Sequence, residues 1–176
     1  MTITATNPTT NTITFTPALN FTHYGATGVT VTNSIGTLDT RASVGYLSKK
    51  IQITSGADQG WGYQMIFNGY NDGVRLRSGS GILQNVHFYN GGQYDTQNTA
   101  LKILNTVGTS DISITQSSFH NCLSFCLDIS NINNAVVRNN VFYNARLLHV
   151  RALQLNQFTF NRNLMIAATR RPTLNA

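Results

Sequence analysis

Residues 119–144 read FHNCLSFCLDISNINNAVVRNNVFYN, and the stretch begins with Phe-His-Asn (119–121) and ends with Phe-Tyr-Asn (142–144). An aromatic pair followed by asparagine therefore recurs after 23 residues. Apolar residues precede both copies at the same distance, because Ile114 and Val137 each lie five residues before the phenylalanine. A period this short, combined with apolar residues at every second position, indicates stacked β structure and excludes the longer helical repeats.

The same template extends in both directions along the chain. Phe88 and Asn90 fill the aromatic and asparagine positions 31 residues earlier, and Met165 fills the aromatic position 23 residues later. Strands stacked in this way lie about 4.8 Å apart, which lets identical side chains form columns. We expect Asn90, Asn121 and Asn144 to form a structural ladder in which side-chain amides hydrogen-bond along the column.

The repeat predicts an all-β protein, specifically a right-handed single-stranded parallel β-helix (a solenoid) with a small N-terminal β segment. Residues 1–43 keep the alternation but lose the period, so we expect them to pack on the solenoid end, and residues 44–176 to form the β-helix. Composition agrees, because 23 Thr and 21 Asn against six Asp and no Glu favour strands and turns over helices. No apolar run approaches the roughly 18 residues of a membrane span, so direct membrane insertion is not expected.

Basic charge is concentrated in the last quarter of the chain. The net charge is +6, and residues 129–176 contain six Arg and no acidic residue. Arginines on neighbouring strands suit sulfate, carboxylate or phosphate groups spaced along a polymer. Nucleic acid is not expected, because the outward positions lack interleaved aromatic residues on which bases stack. Arg151 is also expected to form an exposed ion pair of little energetic value with Asp128. The candidate surface for an anionic ligand consists of Arg138, Arg146, Arg151 and Arg162.

Residues that carry catalysis or bind metals are scattered. Glycoside hydrolysis needs two facing carboxyl groups and a Ca²⁺ site needs several oxygen ligands, but no two Asp lie closer than 14 residues. Cys122 and Cys126 lack the two further ligands of a zinc site, which leaves free thiols or a local disulfide open. Trp61 either anchors a Gly-rich loop or stacks on a sugar. We predict no catalytic residue, metal or cofactor from the Asp at 39, 58, 72, 95, 111 and 128 and the His at 23, 87, 120 and 149.

Three segments resemble the fibrocystin and fibrocystin-like family: RASVGYLSKKIQI (41–53), HFYNGGQ (87–93) and SFHN (118–121). The resemblance covers about residues 18–168. It implies parallel β-helix repeats, an extracellular or cell-surface location and a longer parent protein. Hyaluronan-degrading proteins of the same superfamily carry a histidine pair before the FHN-like corner, and the matching positions here are Lys102 and Leu104. The resemblance therefore favours the non-degrading branch.

These patterns together predict a non-catalytic extracellular structural or adhesive module, part of a larger surface-coat or filament-forming glycoprotein. The expected partners are other domains or subunits that stack on the solenoid ends, with anionic polysaccharide as a further candidate. Asn20 begins an Asn-Phe-Thr sequence that fits N-glycosylation. Two alternatives stay open. One is a carbohydrate-active enzyme like a hyaluronidase or polysaccharide lyase, and the other is a lectin-like binder of anionic polysaccharide.

Overall fold

The computed structural model describes residues 2–21, 30–33, 36–39, 44–56, 60–71, 73–77, 80–94 and 96–168. These residues form strands and no helix, so the all-β prediction is confirmed. Accordingly, they include no helix able to cross a membrane. The chain divides into two compact units, Met1–Val44 and Gly45–Ala176.

Antiparallel hairpins make up the described part of the first unit. One pairs β1 (Thr2–Asn7) with β2 (Thr12–Thr16), and the other pairs β3 (Thr30–Asn33) with β4 (Gly36–Asp39). The first hairpin turns at Asn7, whose Oδ1 accepts hydrogen bonds from the backbone N–H groups of Thr9 and Thr10 at 3.0 and 3.3 Å. An asparagine side chain that caps its own turn in this way favours local antiparallel pairing of the Thr-rich strands.

The described residues of the second unit form these strands in chain order: β5 (Ile51–Thr54), β6 (Met65–Asn68), β7 (Tyr70–Asn71), β8 (Leu76–Arg77), β9 (Gly81–Gln84), β10 (Val86–Tyr89), β11 (Leu101–Thr115), β12 (Ser118–Cys122), β13 (Leu127–Arg138), β14 (Val141–Ala145), β15 (Val150–Asn161) and β16 (Leu164–Ala168). A parallel short-strand sheet has the order β16-β14-β12-β10-β5. A parallel long-strand sheet has the order β15-β13-β11-β6, with β9 also paired to β11. Strands β7 and β8 form an antiparallel pair.

The 23-residue equivalence is confirmed by the strand register. Phe119 on β12 is the partner of Phe142 on β14. Ile114 on β11 is the partner of Val137, which in turn is the partner of Phe160 on β15. Residues that fill the same position of the sequence template therefore lie side by side on neighbouring strands.

The prediction of a right-handed single-stranded β-helix is wrong. The described strands do not form one continuous solenoid but separate into two parallel five-stranded sheets and three antiparallel pairs. Upstream of residue 81 the regular period gives way, because β11 pairs with two separate short strands, β6 and β9. The register between β11 and β13 also shifts between Thr106 and Asp111. Local hairpin pairing and these irregularities produce the mixed architecture.

One apolar core lies between the inward faces of the two parallel sheets. On the short-strand sheet, Phe88, Phe119 and Phe142 are fully buried and stack with ring centroids 4.6 and 4.8 Å apart. Full burial of each such side chain contributes roughly 1.5–3 kcal/mol, which explains why the template keeps an aromatic residue here. The long-strand sheet supplies the other inward residues: Leu101, Ile103, Ile112, Ile114, Leu127, Ile129, Ile132, Ala135 and Val137.

An extended segment, residues 44–50, covers part of the outer face of the short-strand sheet. Its residues alternate between exposed and half-buried. Gly45 lies against the side chains of Val141 and Leu164, and the Leu47 carbonyl accepts a hydrogen bond from the Ser118 hydroxyl. The segment therefore crosses the strands and shields polar side chains that would otherwise face water.

Candidate functional site

Asp128 and Arg151 are register partners on β13 and β15, and the structure joins them in a bidentate ion pair. Arg151 Nε and Nη2 donate to the two carboxylate oxygens at 3.0 and 2.7 Å. The expectation of an exposed pair is wrong, because the side chains are only 2% exposed for Asp128 and 24% for Arg151. The guanidinium carbon also lies 4.7 Å from the centre of the Phe125 ring, which shields it from water. Hydrogen bonding to Asp128 raises the pKa of Arg151, although burial opposes this effect.

Arg146 and Arg151 contact the same loop, which contains Tyr94 and Gln97. The Arg146 guanidinium lies 4.4 Å from the centre of the Tyr94 ring, and Arg151 Nη1 donates to Gln97 Oε1 at 2.9 Å. The structure therefore brings these two predicted residues to one loop. Arg146 is exposed and keeps its charge at the surface, whereas the charge of Arg151 is balanced inside the protein.

Arg138 and Arg162 lie at the other end of the long-strand sheet. Arg138 is exposed at the end of β13 and pairs in register with Asn161, the residue before Arg162. Arg162 is also exposed and has a φ of 53°. Because β15 runs from Val150 to Asn161, the four predicted arginines fall into two pairs at opposite strand ends and do not form one continuous surface.

The predicted asparagine ladder is present between two of its three members. Asn144 Nδ2 donates to Asn121 Oδ1 at 2.7 Å, but Asn121 Nδ2 donates at 3.4 Å to the Tyr89 hydroxyl and not to Asn90. All three asparagines have positive φ, at 54°, 54° and 56° along the column. Asparagine tolerates this left-handed conformation better than other side chains except glycine, so the repeated residue serves both the turn and the ladder.

The sequence interpretation missed an interior ladder centred on Asn140, which is 1% exposed. Asn140 Oδ1 accepts from the Ser117 backbone N–H at 2.9 Å, and Nδ2 donates to the Ile114 carbonyl at 2.9 Å and to Asn163 Oδ1 at 3.0 Å. These contacts satisfy backbone groups that the corner between strands leaves unpaired. The signal was available, because residues 117, 140 and 163 are spaced by 23.

A second exposed ladder was also missed. Asn131 Nδ2 donates to Asn105 Oδ1 at 2.9 Å, and Asn105 Nδ2 donates to Asn68 Oδ1 at 3.2 Å. Asn105 and Asn131 have φ values of 52° and 55°, as does Gln154 at 52° one strand further. These residues interrupt the regular conformation of long strands whose apolar alternation continues on both sides, so the sequence pattern gave no sign of them.

Three histidines pack against aromatic or polar neighbours and form no acidic cluster within the described part of the chain. His87 and His120 stack with ring centroids 5.9 Å apart, and His120 packs edge-on against Tyr89 and Tyr143 at 5.1 Å from each. The third, His149, lies with its Nε2 3.1 Å from the Ile166 carbonyl oxygen. Burial lowers the pKa of His87, with further contributions from His120 and the Lys49 charge, and burial also lowers the pKa of His120. Both of these rings are therefore neutral near pH 7.

The described residues contain no group of three His, Cys, Asp or Glu side chains placed to hold a metal ion. His23, Asp58, Asp72 and Asp95 lie outside the described residues, and so do the Arg at positions 41, 170 and 171. Asp39 and Asp111 fall on β4 and β11. Lys102 pairs in register with Asp128, and Leu104 with Ser130.

Cys122 and Cys126 form a disulfide, with Cα atoms 5.2 Å apart. This decides between the two alternatives that the sequence left open. Both cysteines are buried in the core, and the loop between them is anchored by the Leu123 N–H, which donates to the Gly91 carbonyl at 2.9 Å. The bridge thus fixes the corner that joins β12 to β13.

The outer edges of β15 and β16, which we call the rim, present apolar side chains to solvent. Val137 and Phe142 are fully buried, but their register partners on the rim, Phe160 and Met165, are 37% and 49% exposed. Within the part of the chain that the structure describes, no strand pairs with either outer edge. The rim therefore combines unpaired backbone groups with an uncovered apolar surface.

Asn20, the predicted glycosylation position, is exposed. Its sequon partner Thr22 lies outside the described residues.

These features define a class of protein: an all-β chain whose strands pair in parallel every 23 residues and whose corners are held by asparagine side chains. Comparison with family models, curated proteins and solved structures found no match for this chain. The resemblance to the fibrocystin family stays a prediction.

Proposed function

We propose that this chain is a non-catalytic structural or adhesive module that joins further β structure through the rim. The observation that carries the proposal is the change in burial between register partners, from 0% at Phe142 on β14 to 49% at Met165 on β16. An apolar column that continues to an unpaired strand edge is suited to a partner that extends both the sheet and the core.

Two physical terms favour such a partner. Unpaired N–H and C=O groups on an edge strand template the addition of another strand. Apolar side chains at the same edge gain roughly 25 cal/mol for each Å² that the partner buries. Exposed Leu153 and Ile166 enlarge the apolar surface of the rim on its outward side. The partner we propose is a neighbouring domain or another subunit of a surface-coat or filament-forming protein.

Sedimentation velocity of the 176-residue chain tests this proposal. We expect association that increases with concentration and is weakened by Met165→Lys, because the lysine places a charge in the surface that the partner covers. Thr159→Lys is the matched control, since Thr159 is exposed and lies between Phe158 and Phe160 on the opposite face of β15. A chain that stays monomeric at its highest soluble concentration would contradict the proposal.

An extracellular location is part of the proposal. The buried disulfide between Cys122 and Cys126 supports it, because such bridges persist in oxidising compartments. The exposed position of Asn20 also supports it. When the protein is expressed through a eukaryotic secretory route, we expect enzymatic deglycosylation to reduce its mass and Asn20→Gln to abolish that change.

Anionic polysaccharide is a further proposed partner, and the exposed Arg138 and Arg162 support it. We expect Arg138→Glu to elute earlier from immobilised heparin than Arg138→Gln, because the first reverses a surface charge and the second only removes it. Equal elution of the two variants and the unaltered protein would remove Arg138 from the partner surface. Arg151 is unsuitable for this test, since its guanidinium balances Asp128.

The carbohydrate-active enzyme remains the rival function. Asp128 is held by two hydrogen bonds from Arg151, which makes it a poor base or nucleophile. Incubation with glycosaminoglycans and pectins, with and without Ca²⁺, separates the two functions by product size. Our proposal expects no shortening of any polymer, and shortening that follows the purified protein through chromatography would favour the enzyme.

A further inference from the structure

The only tryptophan of the chain, Trp61, is held in solvent by a rigid piece of backbone. Its side chain is 70% exposed. Trp61 forms an antiparallel bridge with Gln93, and the flanking residues close it, with Tyr94 N donating to Gly60 O and Gly62 N to Gly92 O, both at 2.8 Å. A large aromatic side chain left in water forgoes the stabilisation that burial would provide.

Two glycines make the support of Trp61 compact. A Cβ on Gly62 would overlap the Asn90 carbonyl oxygen, so no larger residue fits. Gly92 has a φ of 91°, and a Cβ there would lie 2.9 Å from the Asn98 carbonyl oxygen. The exposed indole therefore does not belong to a loosely packed loop. Its backbone is positioned in advance, as binding sites require.

Polar groups of defined orientation accompany the indole. Residues paired across an antiparallel bridge project from the same face, so the Gln93 side chain emerges beside Trp61. Asn98 Nδ2 donates to Gln93 Oε1 at 2.7 Å, which orients both amides. Each amide keeps a further capacity, because Gln93 Nε2 has N–H groups to donate and Asn98 Oδ1 has lone pairs to accept. A donor and an acceptor thus lie next to an open aromatic face.

The neighbouring aromatic residue shows what sets Trp61 apart. The Tyr94 ring is covered by the Arg146 guanidinium at 4.4 Å. Among the described residues, neither another ring nor a cation covers the indole of Trp61. We propose that Trp61, Gln93 and Asn98 form a carbohydrate-binding platform, in which the apolar C–H face of a pyranose stacks on the indole and adjacent hydroxyl groups bond to the two amides. This site is separate from the rim and does not depend on the function proposed for it.

Because Trp61 is the single tryptophan, its intrinsic fluorescence reports directly on this site. The experiment titrates the full chain with cellohexaose, chitohexaose and a hyaluronan hexasaccharide, all of which present flat equatorial sugar faces. We expect a saturable shift of the emission with at least one of them. No saturable change with any sugar would overturn the proposal, and so would emission that shifts only with protein concentration, which would make the indole a protein contact.

Variants measured by calorimetry complete the test. Trp61→Ala should weaken binding at least tenfold without changing the melting temperature, since the indole is exposed. Gln93→Ala should weaken binding severalfold while leaving the tryptophan signal in place. Tyr70→Ala removes an aromatic side chain that is 62% exposed on β7, and it should bind like the unaltered protein. A Trp61→Ala variant that melts earlier and binds unchanged would assign the indole a structural role and contradict the platform.

Discussion

At the scale of single residues, Asp128 stays ionised in a nearly dry position because Arg151 supplies both charge and geometry. Two parallel N–H donors meet two carboxylate oxygens, and Gln97 and Phe125 hold the guanidinium in place. A buried pair of this kind adds little over two apolar residues of the same shape, but loss of one partner leaves an uncompensated charge. The arrangement is therefore sensitive to substitution on one side.

We expect Arg151→Met to lower the free energy of unfolding by about 3 kcal/mol, because the Asp128 carboxylate then stays buried without its counter-charge. Urea denaturation followed by circular dichroism measures the loss. Arg138→Met is the control, since Arg138 is exposed, and its change should stay within about 0.5 kcal/mol. Equal stability of the two variants would show that the pair is not desolvated.

The histidines predict a dependence of stability on pH. Burial lowers the pKa values of His87, His120 and His149 below their ordinary 6.5, so the unfolded chain takes up protons at a higher pH than the folded one. Stability is therefore complete above about pH 6.5 and falls as the pH drops toward the lowered folded-state values. Urea midpoints at about pH 7.5 and 5 should differ in this direction.

Substitution assigns that pH dependence to individual rings. His87 Nδ1 lies 3.4 Å from Gln52 Nε2, and its buried Nε2 has no hydrogen-bond partner among the described residues. His87→Gln should reduce the loss of stability on acidification, because it removes one of the titrating groups. A variant whose urea midpoint falls with pH as steeply as before would show that His87 does not titrate differently in the folded and unfolded states.

Register at the residue scale was predictable from the 23-residue spacing, but burial was not. The spacing correctly placed Asp128 beside Arg151 and Asn121 beside Asn144. It did not reveal that Asp128 is covered, because that depends on Gln97, 54 residues before Arg151 in the chain. Contacts made by an irregular loop have no periodic signature.

At the scale of strands and corners, the corners carry the specificity of the fold. Asn121 and Asn144 lie at positive φ and are joined by a side-chain hydrogen bond, so each satisfies a backbone requirement and a stacking requirement. Ala167 occupies the next position of the column with a φ of 55°, which shows that the backbone keeps this conformation at the rim even without an amide.

Substitutions at Asn144 separate the two roles. Asn144→Gly keeps the left-handed conformation and loses one hydrogen bond, at a cost of about 1 kcal/mol. Asn144→Ala loses the same bond and adds steric strain of about 1–2 kcal/mol. Thermal denaturation should therefore rank the unaltered protein first, the glycine variant second and the alanine variant last. An alanine variant as stable as the glycine variant would mean that the positive φ is not retained.

The interior ladder predicts a larger effect. Asn140→Leu leaves the Ser117 N–H and the Ile114 carbonyl buried without partners, and each such group costs about 1–3 kcal/mol. We expect a total loss of at least about 3 kcal/mol in urea denaturation. Asn156→Leu is matched to it, because Asn156 donates to Asn133 on the exposed surface, and it should be nearly neutral. Similar losses for both variants would remove the distinction between interior and surface ladders.

Elements were predictable where the template is regular and not elsewhere. Strands β12, β13, β14 and β15 follow from the two-residue alternation and the period. The antiparallel pairs and the division into two sheets do not, because hairpin pairing is decided by local turns, and the shift between Thr106 and Asp111 changes no apolar position of the template. The predicted single-stranded β-helix extended the regular part to the whole chain.

At the scale of the whole molecule, the second unit is one core enclosed by two parallel sheets. The phenylalanine column of the short-strand sheet packs against the aliphatic residues of the long-strand sheet in a single cluster. Its last strands leave this core open at the rim within the described residues, and the proposed association arises there. Every functional proposal at this scale depends on the parallel register of the two sheets.

Cysteine cross-linking tests that register most directly. Val136 and Thr159 are register partners on β13 and β15, and neighbouring strands lie about 4.8 Å apart, within the span of about 4.4–6.8 Å between disulfide-bonded Cα atoms. The pair Val136→Cys and Thr159→Cys should therefore oxidise to a disulfide detectable by peptide mass spectrometry. The shifted pair Val136→Cys and Phe160→Cys, whose side chains project from opposite faces, should not. Efficient cross-linking of the shifted pair, or failure of the matched one, would contradict the parallel 23-residue register.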